Sequence, residues 1–272
     1  MDEKTLEVVF LGTNGSCSYN NGKRDKYGVN TSCVAVCAEG ITIVFDAGSG
    51  ICGLNGNDSL QNGELHLFFS HYHVDHICGL LFWGTMFNPA KEINIYGPGE
   101  VRAAIDGFYK SPYQPVGLDA FRAKLNFRNF DESGGKLKLG EGSGVSVTAI
   151  PVSHPDGCLA YRVDYKGKSV CYIPDIELVE HKSDDVLAAF VKECDLLIID
   201  SSFEDGKCIK GWGHSSPRES IELAIRAGVK KLALFHYEYS STDERIDTME
   251  KSAQALFANT FASADGLTYI VD

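Results

Sequence analysis

The chain has no basic surplus. Its 272 residues carry 25 Lys and Arg against 37 Asp and Glu, a net charge of −12. That balance disfavours a broad nucleic-acid surface, which ordinarily needs a basic face. Long apolar runs are also missing: no stretch could span a bilayer, so no membrane contact is expected. The opening Met1-Asp2-Glu3-Lys4 lacks the basic region and apolar core of a secretion signal, and a cytoplasmic protein is expected. No C-x-x-C pair occurs. The nine cysteines, an odd number lying mostly in or beside apolar segments, read as reduced thiols rather than a disulfide framework. Repeats, low-complexity tracts and linkers are lacking as well, so residues 1–272 read as a single domain.

What is present is a succession of short strands. Runs rich in Val, Ile, Phe and Tyr, bounded by Gly, Asn and Asp, cover 6–11, 32–37, 41–45, 65–69 and 93–96. Others cover 125–130, 145–150, 159–165, 169–173, 196–200 and 231–235. Helical patterns appear mainly late: one capped by Ser183-Asp184-Asp185, one opened by Ser216-Pro217, one started by Thr242-Asp243-Glu244. Short helices are expected after His76 and Gly99. The pattern suggests two packed sheets with helices outside. Residues 107–120, aromatic and Pro-rich without period, read as an ordered loop that is either functional or a cover over a sheet edge, and that could serve a homodimer contact.

The densest chemistry lies in His71-Tyr72-His73-Val74-Asp75-His76, directly after an apolar strand. Of the eight histidines, four fall between His66 and His76. Imidazole suits zinc and its neighbours, and carboxylate suits harder ions, so the mixture points to zinc first and to manganese or iron next. One such motif rarely closes a two-metal site. Further ligands should sit at strand ends facing the same side, and His154, Asp175 and His236 each follow an apolar run by one or two residues. Singly, each has a mundane alternative as a hydrogen-bonded strand end or a turn cap.

In this order the motifs resemble the metallo-β-lactamase superfamily of hydrolases, from Leu11-Gly12-Thr13-Asn14-Gly15-Ser16 to Phe235-His236. The resemblance implies an α/β fold, a four-layer αββα sandwich, with two divalent metal ions at one edge. Carried over by position, His71, His73 and His154 would hold one ion, Asp75, His76 and His236 the other, and Asp175 would bridge them. The aspartate of Asp46-Ala47-Gly48 would buttress the ligands. Two ions sharing a water lower its pKa towards neutrality and stabilise charge on a substrate oxygen.

The second half resembles the branch containing tRNase Z and bacterial phosphodiesterases, with Asp200 and His214 where tRNase Z has a catalytic glutamate and histidine. Asp75, Asp200 and His214 are thus the catalytic candidates, His214 as a proton donor oriented by Asp200. The chain shows no inserted arm for gripping tRNA and is acidic, so the expected partner is a small phosphodiester or cyclic nucleotide without an extended nucleic-acid surface. Alternatives are hydrolysis of a carboxylic ester, lactone or amide, tRNase Z-like RNA processing, and a non-enzymatic metal-binding sensor or scaffold. His181 reads as an exposed residue outside the site.

Overall fold

The computed structural model describes residues 5–20, 22–130, 135–178 and 185–272. Two mixed sheets, each of seven strands among the described residues, pack face to face. The first contains β1 (Leu6–Gly12), β2 (Cys33–Ala38), β3 (Ile41–Phe45), β4 (Glu64–Phe68), β5 (Glu92–Gly97), β6 (Lys124–Asn129) and the distant β14 (Thr268–Val271). The second contains β7 (Leu137–Leu139), β8 (Val145–Val152), β9 (Cys158–Tyr165), β10 (Lys168–Ile173), β11 (Leu196–Asp200), β12 (Leu232–Phe235) and β13 (Thr260–Ala262). In the first sheet β14 lies outside β1; in the second the spatial order follows the chain order, from β7 to β13. Strands β3 to β6 run parallel, as do β10 to β13.

The two-residue period of the strands explains the layering. In β1, Leu6, Val8 and Phe10 face the second sheet, while Val9 and Leu11 face outwards. Both faces of the inner strands are covered, so those strands are mostly apolar. Between the sheets, Phe45 stacks on Tyr172 at 5.0 Å and on Tyr161 at 5.3 Å; truncating such a ring to alanine costs about 3–5 kcal/mol. Outside the first sheet lie α1 (Val74–Ile77) and α2 (Val101–Phe108), contributing Ile77, Val101 and Ile105 to one outer core. Outside the second lie α3 (Asp185–Phe190), α4 (Pro217–Ala227) and α5 (Asp243–Leu256), contributing Leu187, Ile221, Ala224, Ile246 and Ala253 to the other. This is the expected αββα sandwich.

The local signals act as their chemistry requires. Ser216 and Glu219 form a capping box at α4, Pro217 sits where no amide is needed, and Gly228 ends the helix with φ 67°. Thr242 caps α5 by accepting from the Arg245 amide. The caps expected at Ser183 and Asp184, and His181, lie outside the described residues. In the 107–120 segment, Tyr109 is fully buried and its hydroxyl donates to the Ile77 carbonyl while accepting from the Leu80 amide. At least this residue is structural, since it braces the helix that carries Asp75 and His76. Among the described residues no helix is long and apolar enough to cross a membrane.

Candidate metal centre

Parallel strands end together, and their carboxyl ends are where open α/β sheets place ligand sites. Asp46 follows β3, the His71–His76 segment follows β4, and Asp175 follows β10. Asp200 ends β11, and His236 follows β12. His154 follows β8 at the same rim. His71, His73, His154 and Asp175 have donor atoms within 4.8 Å of one another, as do Asp75, His76 and His236. Every ligand candidate drawn from the sequence therefore arrives at one place. Asp175, His214 and His236 meet the same distance limit, so His214 stands at the cluster rather than away from it.

The histidine orientations are fixed from behind. Ser70 Oγ donates to Asp46 Oδ2 at 2.8 Å and so accepts from His71 Nδ1 at 3.0 Å. His76 Nδ1 donates to Asp46 Oδ2 at 2.8 Å, and His154 Nδ1 to the Gly213 carbonyl at 2.8 Å. His236 Nδ1 lies 3.0 Å from Ser202 Oγ. With each Nδ1 committed outwards, each Nε2 turns its lone pair inwards, the arrangement that outer hydrogen bonds give to metal-ligating histidines.

Inside, these nitrogens meet carboxylate oxygens. Asp175 Oδ1 is 3.3 Å from His76 Nε2 and 3.3 Å from His236 Nε2; its Oδ2 is 3.6 Å from His71 Nε2 and 3.6 Å from His154 Nε2. Asp75 Oδ2 is 3.2 Å from His236 Nε2 and accepts from the Ser16 amide at 2.8 Å. His71 Nε2 and Asp175 Oδ1 are buried without a hydrogen-bond partner. Lone pairs facing carboxylates at these distances require a proton or a cation between them. Imidazole nitrogens and carboxylates together fit divalent transition ions.

Titration follows from the same geometry. Burial holds His71 neutral, well below its ordinary pKa, with the neighbouring His76 charge adding to the effect. Burial opposes charge on His76 too, yet the carboxylates of Asp175, Asp75 and Asp46 outweigh it and raise His76 well above its ordinary value. Burial likewise opposes charge on His214, but Asp200, whose Oδ2 accepts from His214 Nδ1 at 2.8 Å, lifts it to about 9. That value belongs to the side chains by themselves; cations bound at Asp75 and Asp175 would cancel their share of the lift and leave that of Asp200.

Backbone strain gathers here. His236 and Asp46 adopt φ 59° and 58°, the left-handed region that non-glycine residues avoid at about 1–3 kcal/mol. Gly15 lies so close to the His236 ring that a Cβ would approach it to 2.5 Å. Beside His71 and His73 opens a cavity of about 500 Å³, walled by Tyr72, Pro98, Glu100, Asp156 and Leu159.

Sequence reasoning missed Ser70, Ser202 and the Gly213 carbonyl. The adjacency of Ser70 to His71 was a usable signal; nothing in the sequence marks the other two, because their role rests on contacts across 34 and 59 positions.

Comparison with known proteins gives this geometry its context. A sequence family described as the beta-lactamase superfamily domain matches residues 42–237. A ribonuclease Z from Picrophilus torridus is 27% identical over 315 residues, covering 98% of this chain and 96% of the relative. The fold resembles the metallo-beta-lactamase fold protein YhfI of Bacillus subtilis, with a TM-score of 0.75, 20% identity, and 98% and 99% of the two chains covered. It also resembles human tRNase Z, short form, with a TM-score of 0.70, 20% identity and the same coverage.

The ribonuclease Z relatives correct one expectation. Net charge and the missing arm point to a small phosphodiester and to no extended nucleic-acid surface, and relatives named ribonuclease Z overturn both. The physical fault lies in the charge argument: a whole-chain sum averages over all faces and omits the cations a site recruits, which are the largest local charges there.

Proposed function

Because the chain belongs to the beta-lactamase superfamily, we propose that it is a metal-dependent hydrolase of phosphodiester bonds in RNA, like its ribonuclease Z relatives. The observation that carries the metal reading is the divided carboxylate of Asp175, one oxygen turned to His76 and His236 and the other to His71 and His154. Two divalent ions suit this arrangement, with zinc foremost and manganese or iron next. His71, His73 and His154 would hold one, Asp75, His76 and His236 the other, with Asp175 between them. When bound, such ions activate water and polarise a phosphoryl oxygen.

The chain's own residues supply the rest. Asp46, Ser70, Ser202 and the Gly213 carbonyl orient four imidazoles, those of His71, His76, His154 and His236, with Nε2 towards the centre. His214, with Nδ1 tied to Asp200, is left with Nε2 as the atom from which a departing ribose oxygen can take a proton. RNA as the substrate rests on the relatives, and the complete donor set favours an enzyme over a sensor.

A turnover panel tests the reading: precursor transfer RNA, unstructured RNA, a lactone and a β-lactam, each with the zinc- or manganese-loaded protein. RNA cleavage with the lactone and β-lactam left intact is expected. Turnover of either of those with RNA untouched would overturn it.

A further inference from the structure

Glu177 is a carboxylate that the chemistry above does not use. It is 5% exposed, and among the described residues its oxygens accept from main-chain amides and not from a cation. Burying a charge without a cation is costly unless fixed dipoles replace the lost water. Here they do: Oε2 accepts from the Gly211 amide at 2.8 Å and from the Gly213 amide at 3.0 Å, and Oε1 lies 3.0 Å from the Gly211 amide. Gly211 and Gly213 adopt φ 81° and 78°, conformations open to glycine that turn both amides inwards around Trp212.

This turn has two neighbours of consequence. The Gly213 carbonyl accepts from His154 Nδ1, and the next residue is His214. The Glu177 main chain is tied in as well, its amide donating to the Ser153 carbonyl at 2.8 Å, one residue before His154. Three loops therefore close around His154: residues 153–154 from β8, residue 177 beyond β10, and residues 211–213 before α4. The approach is tight, since a Cβ on Gly213 would come within 2.1 Å of His154 Nδ1.

We propose that Glu177 is a positioning residue: by clamping the Gly211 and Gly213 amides it aims the Gly213 carbonyl at His154 Nδ1, fixing the tautomer with which His154 completes one of the two ligand groups. The inference rests on the metal reading of the site and not on RNA as substrate. It also predicts selectivity. The Asp75, His76 and His236 group is braced by Asp46 and Ser202 instead, so it should be indifferent to Glu177.

The test uses the full chain as Glu177→Ala and Glu177→Gln. Zinc titration against a chromophoric chelator reads the two ions separately, and ¹⁵N-histidine spectra read the His154 tautomer without metal. Glu177→Ala should weaken one ion about 10–100-fold and leave the other unchanged. The same variant should lose the Nδ1–H signature of His154. Glu177→Gln keeps an oxygen for the two amides and should recover most of both. Equal weakening of both ions, an unaltered His154 signature in Glu177→Ala, or a Gln variant no better than Ala would each overturn the proposal. A parent protein that binds two ions and keeps the selectivity, yet leaves RNA intact, would count against the RNA reading alone.

Discussion

Asp200 Oδ2 accepts from His214 Nδ1 at 2.8 Å, while its other oxygen is engaged by Ser202. Ser202 Oγ lies 2.7 Å from Asp200 Oδ1 and 3.0 Å from His236 Nδ1. One carboxylate thus serves both the proton-donor candidate and, through a hydroxyl, a ligand candidate. The shared carboxylate gives Asp200 a second role beyond orienting His214.

His214→Ala should therefore slow cleavage at a ribose leaving group by about 10²–10⁴. Nitrophenolate leaves without a proton, so a nitrophenyl phosphodiester should be spared, and metal content should hold. Asp200→Asn should lower both activities and weaken metal retention as well. Steady-state rates on the two substrates, with elemental analysis of each variant, decide the matter. Equal losses on both substrates for His214→Ala, with metals intact, would make it a binding or structural residue.

Asp175→Ala should loosen both ions, because its oxygens are divided between the two histidine groups. Isothermal titration with zinc should register weaker binding at both steps. Loss confined to a single step would remove Asp175 from the bridging position.

Gly15→Ala should leave the fold intact and disturb His236, since the added methyl would meet the imidazole at 2.5 Å. The expectation is a native far-ultraviolet spectrum with reduced metal affinity. Unchanged affinity would mean that the loop yields without moving the ring.

Acid stability offers a check remote from the metals. Burial raises the carboxyl of Asp265 to about 6, against the hydrogen bonds it accepts from the Asn30 and Thr13 amides. Folding then takes up a proton between about pH 4 and pH 6, so this group's contribution falls as pH rises through that window and stays lost above it. The full effect is about 3 kcal/mol. His66, lowered to about 4 by burial, acts oppositely in the same range, so the useful quantity is a difference. Denaturant unfolding of the parent minus Asp265→Asn should decline from pH 4 to pH 6; a flat difference would contradict this.

Much of this fold is legible in the sequence because its inner strands are apolar on both faces and end in turn-forming or ligand-type residues. Val145, Val147 and Ala149 of β8 read as a strand on their own, and the strand duly points His154 at the site. The short strands at 137–139, 260–262 and 268–271 were not readable. Leu6 of β1 pairs with Val271 of β14, and no local pattern announces a partnership between the two ends of the chain. The same division holds for the site. His71, Asp175 and His236 betrayed themselves by following apolar runs. Ser202 and Glu177 act through hydrogen bonds to residues distant in sequence, which exist only once the sheets have assembled.

The most direct test of the account couples metal content to cleavage in one preparation. Elemental analysis of the chain loaded with zinc or manganese should give about two ions per chain. Chelation should abolish cleavage of precursor RNA, and restoring the metal should restore it. A chain that takes up neither metal, or that cleaves RNA equally well with and without it, would contradict the central claim.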